Sequence, residues 1–173
     1  MALAFSVVSP AFASAPAPDK STAKYEIDFM EDMIDHHMMA IMMAEMCVEK
    51  ALHEELRSLC QNIITTQSQE MMDMQAWLQD WYGITYMPEM KHHGMMHHMM
   101  IMEGAEFEIE FMQMMIKHHR GAIKEGEKCL DRAFHSELLS LCQNIIVTQT
   151  QEILMMQTWL CEWYGICKNY LKI

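Results

Sequence analysis

Basic side chains are scarce in this sequence. Its 173 residues hold 12 Lys and Arg against 24 Asp and Glu, which gives a formal net charge of −12. Because phosphate binding relies on a basic surface, this balance argues against nucleic acid as a partner. The sequence also lacks a glycine-rich phosphate loop and a nucleophile–base–orienter arrangement, so it gives no positive sign of enzymatic chemistry.

Long apolar runs are missing as well. The first residues form a short apolar run followed by small residues, Ala11–Phe12–Ala13 and Ala13–Ser14–Ala15, a pattern that resembles the end of a secretory signal peptide. This run and every later one are too short to span a bilayer. We therefore expect an exported protein, periplasmic or extracellular, without a transmembrane anchor. Residues 1–23 are expected to be a signal-peptide remnant and a disordered N-terminus.

The sequence repeats itself and is rich in methionine, with 23 Met and 10 His. Residues 25–84 align with 107–166 at a constant offset of 82 without a gap, and 35 of the 60 aligned positions are identical. Duplication explains this far better than chance. The shared positions should determine the fold, and the differences should determine what this version does.

Each repeat predicts two amphipathic helices joined by a tight turn, because apolar residues recur at helical spacing. Gly83 and Gly165 fit helix stops, and the turns are expected near 52–54 and 134–136. The core-facing stripes of the first helix in each repeat are Ile27, Met30, Ile34, His37, Ile41, Ala44 and Val48, and Ile109, Met112, Ile116, His119, Ile123, Gly126 and Leu130.

Two such hairpins can bury their apolar stripes by packing together. The sequence therefore predicts an all-α protein, an antiparallel, ferritin-like four-helix bundle built from two duplicated helical hairpins. We expect residues 24–166 to form one domain. Within it, 24–83 is the first hairpin, 84–103 a Met/His-rich linker and 104–166 the second hairpin; 167–173 is a C-terminal tail.

A polar layer is expected inside the bundle. Antiparallel pairing about a turn near residue 53 brings His37 level with Gln67 and Glu70. A buried carboxylate is costly unless it is paired, and an imidazolium is a suitable partner. The layer is either a His–Glu–Gln network that sets the helix register or a metal centre, although carboxylates are too few for a ferritin-like di-iron site. Its residues in the second hairpin are His119, Gln149 and Glu152.

Methionines are concentrated on the first helix of the first repeat, where the second repeat has Arg, Gly, Lys, Glu and Lys. Their spacings of three and four make them neighbours on a helix surface. On the helical wheel most of them point away from the core stripe, so we expect an exposed face, with His36 and Met43 at its edge. Thioethers are neutral, soft ligands that suit Cu(I) or Ag(I), and His36 would complete a mixed site that accepts either copper state. The alternative is a partner-docking face. The methionines are Met38, Met39, Met42, Met43 and Met46.

The interhairpin linker is a second candidate metal-binding segment. Four His and seven Met lie within 87–102. A flexible, ligand-rich strip can wrap a metal at an entropic cost that lowers affinity, and the Met pairs favour copper over Zn or Ni. The alternative is a disordered, tail-like linker, which is compatible with weak metal binding. The candidate ligands are Met90, His92, His93, Met95, Met96, His97, His98, Met99 and Met100.

Six cysteines in an exported chain favour disulfides. The antiparallel register brings together the two cysteines that flank each turn, and the last two cysteines remain as a third pair across the end of the final helix. Free thiolates that join the copper sites are the alternative. The expected disulfides are Cys47–Cys60, Cys129–Cys142 and Cys161–Cys167.

The sequence Met-Ile-x-His-His, with Ala four residues after the first His and with Gln-x-x-Glu and Trp-Leu downstream, resembles the DUF305 family of ferritin-like helical bundles. The motif occurs at 33–37 and 115–119, and the two matches cover most of 25–166. The duplicated, Met-rich version is similar to an exported copper-resistance protein. The resemblance implies a four-helix bundle, a periplasmic address and binding of Cu(I) and Ag(I). It implies metal-binding roles for His36, His37, His118 and His119, and for the methionines of the motif, Met33 and Met115.

One departure from the family pattern separates the two copies. Family members often have Gly-Ala after the His pair, as the second copy has in Gly121 and Ala122, whereas the first copy has Met39 and Ala40. The first copy is therefore expected to be the principal copper site.

These features predict a non-enzymatic protein that binds Cu(I) for sequestration, resistance or transfer. Ag(I) and Cu(II) are further candidate ions, and a copper efflux or acceptor protein is a candidate partner. Two alternatives stay open: a metallo-oxidase that uses the inner His–Glu layer, and a structural protein whose Met surface docks another protein.

Overall fold

The computed structural model describes residues 15–89 and 99–167. Within these ranges four long helices pack as two hairpins, α1 on α2 and α3 on α4, and α1 and α3 make the main contact between the hairpins. The predicted all-α, four-helix architecture is confirmed. No helix in the described ranges combines the length and hydropathy that a membrane span requires. The helices are α1 (Lys20–Lys50), α2 (Glu54–Tyr82), α3 (Gly104–Arg132) and α4 (Ser136–Tyr164).

Several predictions concern residues outside the described ranges. The signal-peptide prediction falls mainly on 1–14, and 168–173 belong to the expected tail. Most of the candidate linker ligands also lie outside the described residues: Met90, His92, His93, Met95, Met96, His97 and His98.

The predicted disorder of the N-terminus is wrong for residues 15–23. Helix α1 begins at Lys20 rather than at 24, because the Asp19 side chain caps it by accepting hydrogen bonds from the amides of Ser21 and Thr22. Ala17 is buried. The stretch before the helix therefore packs on the bundle.

The helix ends and disulfides follow the predicted pattern. Gly83 and Gly165 end α2 and α4 in the left-handed conformation, at φ of 68° and 67°. The interhelical turns fall at 51–53 and 133–135, one residue earlier than expected. All six cysteines are paired, so the alternative of free thiolates as copper ligands is wrong. The disulfides are Cys47–Cys60, Cys129–Cys142 and Cys161–Cys167.

The predicted core stripes are largely buried, and Leu130, which is 38% exposed, is the clear exception. The apolar core consists of two clusters, and each takes residues from both hairpins. One contains Met43, Phe107 and Met115, and the other contains Met33 and Leu138. Burial of this shared surface holds the two hairpins together.

Each hairpin turn is bound by a buried glutamate from the other repeat. Glu26, near the start of α1, accepts hydrogen bonds from the Phe134 and His135 amides at 2.6 and 2.9 Å, from the His135 ring at 2.6 Å, and from the Tyr82 hydroxyl. The Trp81 ring stacks on His135 with 3.7 Å between centroids. The glutamate therefore ties the start of α1 to the turn that follows α3.

The second repeat makes the same contacts in return. Glu108 accepts from the Leu52 and His53 amides at 2.7 and 2.8 Å, from the His53 ring at 2.7 Å, and from the Tyr164 hydroxyl. Trp163 stacks on His53. Each residue is the 82-residue counterpart of one in the first set, so an internal two-fold relates the repeats and α1 runs antiparallel to α3.

These glutamates predict acid sensitivity. Burial alone would raise the pKa of Glu26 and of Glu108, but the hydrogen bonds to each carboxylate outweigh it and hold both pKa values below the ordinary value of 4.5. Below pH 4.5 the unfolded chain binds more protons than the folded one, so stability is present above that pH and is lost as the pH falls through the folded pKa. We expect the urea concentration at the unfolding midpoint, measured by circular dichroism, to decrease once the pH is below 4.5.

A variant tests the source of this pH dependence. In Glu26→Gln/Glu108→Gln neither side chain titrates, so its urea midpoint should start lower at pH 7 and change less between pH 5 and pH 3. An equal drop in the wild type and the variant would assign the acid sensitivity to other carboxylates.

Candidate metal site

Two histidines meet where α1 crosses α3. The rings of His36 and His118 stack with 3.5 Å between their centroids and 30° between their planes, and His118 Nε2 donates to the His36 carbonyl oxygen at 3.1 Å. The two residues are counterparts at the offset of 82, so this pair lies at the internal two-fold. The sequence predicted both residues as ligands but did not predict that they touch.

Burial keeps these two rings neutral. Burial first, and the neighbouring His37 and His119 in addition, lower the pKa of His36 to about 3, against a raising hydrogen bond with His118. Burial and the other three histidines also hold the pKa of His118 well below 6.5. A neutral imidazole has the free lone pair that a metal needs. Nδ1 of each ring has no hydrogen-bond partner in the described part of the chain.

The neighbouring histidines form the predicted pairs with glutamate. His37 Nε2 lies 2.6 Å from Glu70 Oε2, and His119 Nε2 lies 2.7 Å from Glu152 Oε2. This part of the predicted polar layer is confirmed. The predicted role of Gln67 in this layer is not confirmed. Gln67 is buried, but its side-chain oxygen has no hydrogen-bond partner within 15–89 and 99–167. The same is true of its counterpart Gln149.

The inner layer does not assemble a site of hard or imidazole ligands. Across the described ranges no group of three or more His, Cys, Asp or Glu side chains is placed to hold one metal ion. The stacked rings and the His–Glu pairs therefore give the metallo-oxidase alternative no three-ligand centre there. A site that uses these histidines needs other donors, and in this chain the neighbouring donors are thioethers.

The methionines of α1 are less exposed than the sequence suggested. Met43, expected at the edge of the core, is fully buried, and so is Met33. The prediction of an exposed face is wrong for the other four methionines of α1. Helix α1 packs on both α2 and α3, so its buried side is wider than packing within one hairpin requires. Partly buried are Met38, Met39, Met42 and Met46.

The difference between Met39 and Gly121 lies at the His36–His118 pair. A Cβ atom on Gly121 would be 3.4 Å from His36 Nε2. The internal two-fold gives Met39 the equivalent place beside His118. The second repeat thus leaves space next to His36, whereas the first repeat brings a thioether-bearing residue next to His118.

The two described ends of the linker bind α1 on either side of its Met segment, residues 38–46. At one end Asp35 accepts hydrogen bonds from the Tyr86 hydroxyl and the Glu89 amide at 3.0 and 2.7 Å. At the other, Lys50 donates to the carbonyl oxygens of Met100 and Met102 at 2.7 and 2.9 Å. The two attachment points are about 22 Å apart along α1, and all five methionines lie between them.

The other candidate ligands that are described differ in exposure. Met99 and Met115 are buried in the same core cluster as Met43. Met100 is 60% exposed.

Comparison with known proteins identifies the family. The sequence profile described as "Domain of unknown function (DUF305)" matches residues 26–160. The chain belongs to the DUF305 family. No curated protein sequence matches it.

Several solved structures share the fold. CopM in its Cu(I)-bound form is 33% identical, with a TM-score of 0.74 over 81% of this chain and 98% of CopM; CopM is also known in Cu(II)-bound and Ag-bound forms. A Streptomyces coelicolor DUF305 protein predicted to be secreted is 25% identical, with a TM-score of 0.72 over 80% of this chain and 91% of that one. A DUF305 fragment from Deinococcus radiodurans is 26% identical, with a TM-score of 0.71 over 84% of this chain and 97% of the fragment.

Proposed function

We propose that this DUF305 protein binds Cu(I), and Ag(I) as its mimic, through methionine and histidine clusters, and that it sequesters or transfers copper without catalysis. The observation that carries the proposal is the difference between two copies of one hairpin. They share the histidines and the packing contacts, but only the first has thioethers at 38, 39, 42, 43 and 46. The described similarity to CopM, which binds Cu(I), Cu(II) and Ag, supports the same chemistry here.

The proposed principal site is centred on α1 of the first hairpin, where it crosses α3. Its donors are the neutral rings of His36 and His118 together with nearby methionines, of which Met39 has the place beside His118. Thioethers bind without deprotonation and prefer Cu(I) to Zn, Mg or Ca, while imidazole accepts Cu(II) as well. The buried methionines and the His37–Glu70 and His119–Glu152 pairs surround this site.

The linker is the proposed second set of ligands. Its attachments to Asp35 and Lys50 hold its two described ends beside the Met segment of α1, which supports a role for its His and Met residues in binding the same ions. Exchange between thioether sites and this linker would deliver copper to an efflux or acceptor protein.

The proposed compartment is the periplasm or the extracellular space. Three disulfides persist best under oxidising conditions, and a member of the family is predicted to be secreted.

Partial burial of the methionines favours metal binding over the alternative of a partner-docking face.

Anaerobic titration with Cu(I) against a colorimetric chelator tests the proposal. We expect the protein, with its disulfides intact, to remove several equivalents of Cu(I) from a weak chelator, and Ag(I) to compete for them. A protein that removes no Cu(I) from a weak chelator would contradict the proposed function.

A further inference from the structure

The second hairpin contains a groove between α3 and α4, and the repeat implies an equivalent position between α1 and α2. The groove encloses a cavity of about 210 Å³, and its lining includes Arg120, Lys124, Ile153 and Leu154. Two of these side chains are cations and two are aliphatic. Subtracting the repeat offset of 82 from each lining position gives the equivalent positions in α1 and α2.

All four of these positions are methionine in the first hairpin: Met38, Met42, Met71 and Met72. The rest of the lining hardly changes between the copies. Ile, Glu and Gln are kept at three positions and Thr becomes Ser at the fourth. The frame of the groove is therefore retained, and the only substitutions that alter its chemistry replace cationic and aliphatic side chains by thioethers.

The register between the helices of each hairpin supports this transfer of positions. The His37–Glu70 and His119–Glu152 pairs are 2.6 and 2.7 Å long, and they lie immediately beside the groove positions in sequence. The disulfides next to the turns have Cα–Cα distances of 6.1 and 6.2 Å. Since both pairs of helices are fixed at the same two levels, Met38 and Met71 are level with each other across α1 and α2.

The burial of the four methionines suits an ion site with a dry inner side and an open mouth. Met71 is 7% exposed and packs in the core, whereas Met72 is 54% exposed, and Met38 and Met42 are partly buried. The counterparts of Met38 and Met42 in the second hairpin, Arg120 and Lys124, would repel a cation.

We propose that Met38, Met42, Met71 and Met72 form an all-thioether site for Cu(I) or Ag(I) in the groove between α1 and α2. The proposal rests on the proposed copper-binding function and adds to it a site whose donors come from both helices of the first hairpin. Four neutral sulfur donors select a soft monovalent ion and discriminate against Zn²⁺ and Cu(II). The site needs neither the His36–His118 pair nor the linker.

Two variants test this site by loss. We expect Met71→Leu/Met72→Leu to bind one Ag(I) fewer than the wild type, counted by inductively coupled plasma mass spectrometry after gel filtration. The single change Met72→Leu, at an exposed position, should lower the affinity for that Ag(I) ion by at least about 10-fold, a typical effect of altering a metal site. The matched control is Met155→Leu/Met156→Leu in α4, which removes two adjacent methionines outside the groove and should keep the full count.

A graft tests the site by gain. The changes Arg120→Met, Lys124→Met, Ile153→Met and Leu154→Met give the second hairpin the same four donors, and we expect one additional Ag(I). A graft that gains no ion would contradict the claim that these donors suffice. An unchanged count in Met71→Leu/Met72→Leu, with the wild type binding Ag(I) and Cu(I), would overturn this inference alone. A wild type that binds neither ion would overturn the proposed function as well.

Discussion

Replacing five methionines of α1 with leucine is expected to weaken Cu(I) binding by more than about 100-fold at the tightest sites, because altering even the residues that support a metal ligand typically costs 10–100-fold. The variant carries leucine at 38, 39, 42, 43 and 46. Leucine has a similar volume to methionine and no sulfur, so the fold should survive even at the buried Met43. Anaerobic chelator competition measures the affinity, and circular dichroism measures the helix content.

A variant with methionines changed in the second hairpin serves as the control. Met112→Leu, Met155→Leu and Met156→Leu remove sulfur outside the proposed sites and nearly conserve the core volume, so the tightest Cu(I) affinity should match that of the wild type. If the α1 variant kept wild-type affinity, or if the control lost as much, the difference between the two repeats would not explain copper binding.

The second large effect concerns stability. Glu26→Gln is expected to lower the free energy of unfolding by about 3 kcal/mol, because it breaks a buried charged network and leaves donors without an acceptor. The Gln carbonyl oxygen can still accept from the amides of Phe134 and His135, but its NH₂ group then faces the His135 ring. The Glu26 oxygen next to the ring also accepts from the Tyr82 hydroxyl, so the substitution takes a charged acceptor from both groups.

Urea unfolding at pH 7 checks this prediction with two comparisons. Glu108→Gln should cost nearly as much as Glu26→Gln, since the two-fold gives Glu108 the same set of donors. The exposed Glu49→Gln should change stability by less than about 0.5 kcal/mol. A Glu26→Gln variant as stable as Glu49→Gln would show that the glutamate contacts do not hold the hairpins together.

Much of the fold could be predicted because the sequence contains its own comparison. Helical periodicity located the four helices, and the antiparallel register about each turn predicted the disulfides and the His37–Glu70 pair. The register between the hairpins was not predictable in this way, because periodicity describes one helix at a time. A signal that would have pointed to it was the identity of Glu26 with Glu108 and of His53 with His135, because neither pair belongs to a predicted core stripe.

The candidate site was predicted less completely. The difference between the repeats singled out the α1 methionines, but Met43 proved to be core because α3 covers a second side of α1. The same comparison applied to α2 would have found Met71 and Met72, where the second repeat has Ile153 and Leu154. The contact between His36 and His118 depends on how the hairpins cross, which the pattern within one hairpin does not specify.

An anomalous difference map from crystals soaked in Ag(I) tests the central claim most directly. The account predicts Ag peaks beside the methionines of α1, in the α1–α2 groove and near His36 and His118, with no peak at the equivalent groove of the second hairpin. Peaks of equal strength at equivalent positions of both hairpins, or peaks confined to the second hairpin, would contradict the claim that the thioethers of the first repeat create the copper sites.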